Sequence, residues 1–136
     1  MNAKDFLMRP DQLDCNMKMI ATDILVLRCQ AEKISTVLSP VVGGKGTNKD
    51  FSAVVDRIVE LEVSLERLTA DWIQATKEVQ AVIEMLPDPK KRTVLHKRYM
   101  ENKTLVQIAG EINYTEQYVR KLHSKAIGEV QDILNL

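Results

Sequence analysis

The sequence predicts an all-α protein: a long antiparallel, coiled-coil-like helical hairpin followed by a small helix-turn-helix domain. Three observations carry this. Apolar residues recur in alternating steps of three and four over two long stretches. A closing stretch, KTLVQIAGEINYTEQYVRKLHSKAIG from Lys103 to Gly128, repeats that spacing in two short segments around a tight turn. Five Gly, four Pro and 4% aromatic residues are poor material for a sandwich or barrel. A chain of 136 residues, 45% of them hydrophobic, makes one or two small domains with a core.

The first seam follows a short turn expected around Ala3 to Met8, with Pro10 suited to the first position of a new helix. It reads Leu13, Met17, Ile20, Ile24, Leu27, Ala31, Ile34 and Leu38, the 3.5-residue period of helices packed side by side. Met19, Leu25, Val26 and Val37 flank it and widen the stripe, so this helix is expected to be covered on more than one side. Cys15 and Cys29 lie fourteen residues apart on it, roughly 21 Å along a helix, too far for a disulfide. With no second Cys or His at ligand spacing, they read as buried small hydrophobes.

Ser39-Pro40 ends this helix, and VVGGKGTNKD reads as an interhelical loop. Its three glycines and two lysines lack the Walker order, so a phosphate cradle is disfavoured. The second helix is expected to start near Asp50 or Ser52. Its seam runs through Phe51, Val54, Ile58, Leu61, Leu65, Leu68, Trp72, Ala75, Val79, Val82 and Leu86. Trp72 reads as core. Two such helices joined by a loop make an antiparallel hairpin that a second chain can complete, so a homo-oligomer, favoured as a dimer, is expected.

Leu86-Pro87-Asp88-Pro89 must stop the long helix, which sets a boundary between residues 1–86 and 87–136. Asp88 can cap a new helix with Pro89 at its first position. Val94, Leu95, Arg98 and Tyr99 then form a helix that braces the two after it. In the next segment Leu105, Ile108, Ala109 and Ile112 make one apolar stripe, with Ala109 small where two crossing helices come closest. Asn113 tolerates a left-handed backbone and Thr115 is placed as an N-cap, with Glu116 in the first turn. Val119, Leu122 and Ala126 mark the buried side of the last helix. That is helix-turn-helix grammar, in which the second helix enters the DNA major groove. The same pattern also occurs in all-α proteins that never meet DNA.

The net charge of zero hides an asymmetry: residues 1–86 hold ten bases and thirteen acids, residues 87–136 nine bases and six acids. From Lys90 to Lys125 the count is nine bases against three acids, so the basic end carries the motif. No apolar run approaches a membrane span and no signal segment is seen, so a cytoplasmic location is expected. His96 and His123 lack nearby Cys for zinc. They read as a helix-surface histidine and a phosphate-adjacent one. No nucleophile set or cofactor motif assembles, so no enzyme, cofactor or metal is expected.

From Leu86 onward the order Leu86-Pro87, Val94-Leu95, Arg98-Tyr99, Thr104-Leu105, Ile108-Ala109, Ile112, Thr115, Val119-Arg120, Leu122 and Lys125-Ala126-Ile127 resembles region 4 of the sigma-70 factors. That module reads the upstream promoter element, and the resemblance covers about the last third of the chain. The whole chain also resembles a family of small phage-encoded proteins regarded as late-gene regulators, related in style to autolysin regulators of Gram-positive bacteria.

The resemblance implies that the exposed first two turns of the last helix read bases: Glu116, Gln117, Arg120 and Lys121. Arg120 stands where the sigma pattern also has Arg and can bind guanine; Gln117 can bind adenine. Glu116 replaces a usual Arg and Gln117 a usual Glu, so the usual promoter element is not implied as the target. Phosphate contacts are expected from Lys103, Thr104, Tyr118, Ser124 and Lys125, with Lys90, Lys91 and Arg92 beside them. The leading reading is a phage or prophage transcription regulator that binds specific double-stranded DNA. Two alternatives stay open: a small terminase-like DNA-packaging protein, and an interaction protein docking on RNA polymerase.

Overall fold

The computed structural model describes residues 2–38 and 45–136, and their side chains except at 36–38 and 45–48. It is all-α: α1 Ala3–Leu38, α2 Lys45–Glu84, α3 Pro89–Leu95, a π-helical turn His96–Met100, α4 Leu105–Ile112 and α5 Glu116–Leu134. No strand occurs among the described residues. None of their helices is long and apolar enough to cross a membrane. The expected end of the first helix at Ser39-Pro40, and the loop residues up to Gly44, lie outside the described residues.

Two expectations about helix starts are corrected. The first helix begins at Ala3 and runs through Pro10. A proline inside a helix removes a hydrogen bond to the preceding turn and costs about 3 kcal/mol. Phe6 and Leu7, one turn earlier, are buried at 8% and 0% exposure. Each such burial contributes about 1.5–3 kcal/mol, enough to offset the proline. The helix start is also capped: Asn2 Oδ1 accepts from the Lys4 amide at 2.8 Å, and Gln131 Oε1 accepts from the Ala3 amide at 2.8 Å. The second correction is that α2 starts at Lys45, ahead of Asp50, so residues 45–50 of the expected loop are helical.

The chain packs as two compact units: Leu13–Asp71, and residues up to Gln12 together with Trp72–Leu136. Pro87 breaks the helix where expected, while the unit around the helix-turn-helix also takes in the first turns of α1 and the last turns of α2.

In the Leu13–Asp71 unit the heptad seams face inward. Ile24 and Leu61 are buried, and Leu13, Met17, Ile20, Leu27, Ile58, Leu65 and Leu68 are half-buried. Arg28 Nη2 donates to Glu62 Oε1 at 2.6 Å beside the seam. In the other unit Ala3 and Leu7 share a cluster with Ile83 and Leu86. The flanking residues Met19, Leu25 and Val26 are exposed, as are Val55, Val59 and Val63 on α2. Cys15 and Cys29, expected to be buried, are exposed free thiols. The reason lies in the period. Each sits two residues after a seam position, Leu13 and Leu27, on the side of the helix turned away from its partner.

The other unit holds two clusters. One joins Ala3, Phe6, Leu7, Val79, Ile83, Leu86, Leu95, Tyr99, Ala126 and Val130. The other joins Val94, Ile108, Ala109, Val119 and Leu122, with Leu105 and Ile112 against it. Trp72 is half-buried.

Candidate nucleic-acid interface

Local sequence builds the helix-turn-helix. Asp88 caps α3, its side chain accepting from the Lys90 amide at 2.9 Å with Pro89 at the first position. At α4, Thr104 and Gln107 form a reciprocal capping box. Asn113 ends α4 with φ 61°, and the Tyr114 amide bonds back to the Ala109 carbonyl at 3.1 Å. Thr115 then caps α5, its hydroxyl accepting from the Tyr118 amide at 3.2 Å. Ala109, 6% exposed, lies in the cluster that packs α4 on α5. These features agree with the sequence reading.

The sequence-expected contact residues divide into two groups. Gln117, Tyr118, Arg120, Lys121 and Ser124, together with the cap residue Thr115, line one open concavity along the outer face of α5. Tyr118, Lys121 and Lys125 continue around to a second one shared with Asp88 and Lys91. Glu116 is half-buried and the other named residues of α5 are exposed on one side, while Val119, Leu122 and Ala126 face the core. Lys90 joins this group: its Nζ lies 5.5 Å from the Tyr114 ring centroid and 5.9 Å from that of Tyr118. Contact with the Tyr118 side chain, then Tyr114, pushes the Lys90 ammonium pKa up.

The second group is occupied within the protein. Lys91 Nζ meets Glu129 Oε1 at 2.5 Å, and its side chain is only 15% exposed. Arg92 Nη1 donates to the Leu86 carbonyl at 3.0 Å. Lys103 Nζ pairs with Glu111 at 2.6 Å and Glu101 at 2.9 Å. The hydrogen bond it donates to Glu111 is the first cause raising Lys103 above the usual lysine range. In return, bonds from Lys103 hold Glu101 and Glu111 below the usual carboxylate range. Thr104 is engaged in its cap but exposed.

His123, read as phosphate-adjacent, faces inward instead: its Nε2 shares a 2.8 Å hydrogen bond with the Tyr99 hydroxyl. Burial, then the charges of Arg98 and Lys4, lowers its pKa. His96 is exposed, with Nδ1 3.2 Å from Glu101 Oε2. Two features had no sequence expectation. The π-helical turn His96–Met100 carries Tyr99 to its partner. The edge-on ring pair Tyr114–Tyr118, centroids 5.0 Å apart, lies next to Lys90. The four-residue spacing of the two tyrosines across the turn was the available signal.

The α4–turn–α5 arrangement, braced by α3, is that of a helix-turn-helix protein. The chain belongs to the family described as a protein of unknown function (DUF1492), which matches residues 29–131. It is also similar to the RNA polymerase sigma factor SigF from two strains of Mycobacterium tuberculosis, 28% identical over 91 residues. That match covers 67% of this chain, which spans about a third (33%) of the sigma factor's length. The similarity supports a sigma region 4-like relation. No solved structure matches the chain.

Proposed function

We propose that this chain binds double-stranded DNA by placing α5 in the major groove, and that it acts as a transcription regulator. The observation that carries the reading is the outer face of α5. There Gln117, Arg120, Lys121, Ser124 and Lys125 stand exposed on a helix positioned by its turn and cap. Arg and Gln in the first turns are the side chains that read guanine and adenine in pairs of hydrogen bonds, and Lys125 is placed for phosphate. Similarity to a sigma factor supports a transcriptional role, and with it a contact to RNA polymerase. The proposal includes a phage or prophage setting, which the sequence resemblance suggests, and a cytoplasmic location. The chain is proposed to act without catalysis.

The exposed apolar flanks of the Leu13–Asp71 unit favour a homodimer. A sedimentation mass of one chain at micromolar concentration would remove that part.

The test is fluorescence anisotropy with random duplex and with upstream DNA of its own locus across a salt series. A steep salt slope with a preferred sequence is expected. A steep slope without preference supports packaging, as for a small terminase, and no binding at low salt sinks the DNA reading. Arg120→Ala is expected to weaken the preferred duplex by about 1–3 kcal/mol and relax preference at one base pair. An equal loss on random duplex places Arg120 on the backbone instead.

A further inference from the structure

Glu116 is the only carboxylate between Thr115 and Lys125, on a face otherwise polar or basic. A negative charge there repels phosphates. Its place in the first turn of α5 suits the helix dipole, and a Glu four residues before an Arg is a favoured pairing. Both effects add little to folding at an exposed site. The geometry has a larger consequence for recognition.

Glu116 Oε1 accepts from Arg120 Nε at 3.1 Å and from Nη2 at 2.5 Å. Both bonds use the Nε–Nη2 edge of the guanidinium, which leaves the Nη1–Nη2 end of the fork able to donate elsewhere on a side chain 65% exposed. That end can donate to O6 and N7 of a guanine. A flexible Arg alone would meet phosphates as readily as bases; held by Glu116, it is both oriented and partly neutralised. A repulsive element of this kind weakens the wrong partners more than the right one.

Resting on the reading of α5 as a duplex-binding helix, we infer that Glu116 is a positioning residue that sets specificity. It holds Arg120 for guanine and penalises duplexes that lack it.

The test uses the full chain and two probes: a duplex enriched by the wild-type chain from a randomised library, and the same duplex with its key guanine replaced. Glu116→Ala is expected to bind the replaced duplex about threefold more tightly and to lose about tenfold of the guanine preference. Glu116→Gln, which keeps an acceptor oxygen without the charge, binds the replaced duplex more tightly but retains most of the preference. In an Arg120→Ala background the Glu116→Ala effect on preference disappears. Thermal melting of each variant checks that folding is intact. The inference is overturned if Glu116→Ala keeps the guanine preference, or changes it equally without Arg120. A wild-type chain that binds the duplexes but enriches no guanine also overturns it, leaving DNA binding in place. Failure to bind any duplex at low salt removes both readings together.

Discussion

The two compact units share one sequence device, the heptad seam, and differ in what covers it. In Leu13–Asp71, two helices face each other, and only Ile24 and Leu61 among the described hydrophobic residues are fully buried. In the unit built around α3 to α5, the same α2 seam continues through Ala75, Val79 and Leu86, all buried at 2% exposure or less. The period is equal; the number of layers is not. Two helices can shield a line of side chains, whereas a third and fourth direction of packing close a volume. Heptad spacing therefore predicts which residues turn inward, and tertiary neighbours decide how dry they become.

Deleting side-chain volume in each unit should expose this difference in layers most strongly. Ile108→Ala, at a site with 0% exposure, is expected to cost about 2–5 kcal/mol by urea denaturation. Leu27→Ala, at a half-buried seam position, should cost less than half as much. Equal losses, growing with protein concentration, would mean that a second copy covers the two-helix unit.

Next in size is a contrast between two lysines of the basic end. Lys91→Ala strands the half-buried Glu129 and is expected to lower stability by about 1–3 kcal/mol, leaving the salt slope of DNA binding unchanged. Lys125→Ala should change stability by under about 0.5 kcal/mol and reduce that slope by about one. Denaturation and anisotropy on the same two variants decide it. A reversed pattern would put Lys91 on the DNA.

Acid should act on the α3–α5 unit in two stages. The folded pKa of His123 is depressed below its ordinary 6.5, so its contribution is complete above that value and is lost as pH falls through the depressed one. Glu101 and Glu111, depressed below 4.5, lose theirs at lower pH in the same sense. His123→Phe should remove the first stage from a stability–pH profile and leave the second. The smallest expected effect is at the turn. Asn113→Gly relieves a left-handed residue at φ 61° and should raise stability by about 0.5 kcal/mol in thermal melts.

What was legible in the sequence was local. Asn113, Thr115, Asp88-Pro89 and the two seams are fixed by neighbours within one or two turns, so their residue types announce them. The exposed face of α5, the candidate site, was legible to the same depth: helical period separates Gln117, Arg120 and Lys125 from Val119 and Leu122. What was not legible depends on distant partners. Lys91 and Lys125 look alike until Glu129, 38 residues beyond Lys91, is brought against the first. His123 reads as phosphate-adjacent until Tyr99 reaches it from 24 residues away. Pro10 reads as a helix start because the burial that outweighs it, at Phe6 and Leu7, is shared with residues from Val79 to Val130. The cysteines are a different case: the seam spacing already placed them outward, and their general preference for burial was the wrong guide.

The cap on α1 has a consequence in time. Gln131 accepts the Ala3 amide across 128 residues of sequence, so this contact awaits their synthesis. At ribosomal rates of about 5–20 residues per second, the first turns wait roughly 6–25 s for their partner. Until then Phe6 and Leu7 have no closed cluster to enter, and the first turns of α1 are secured only after the segments that follow them by more than a hundred residues.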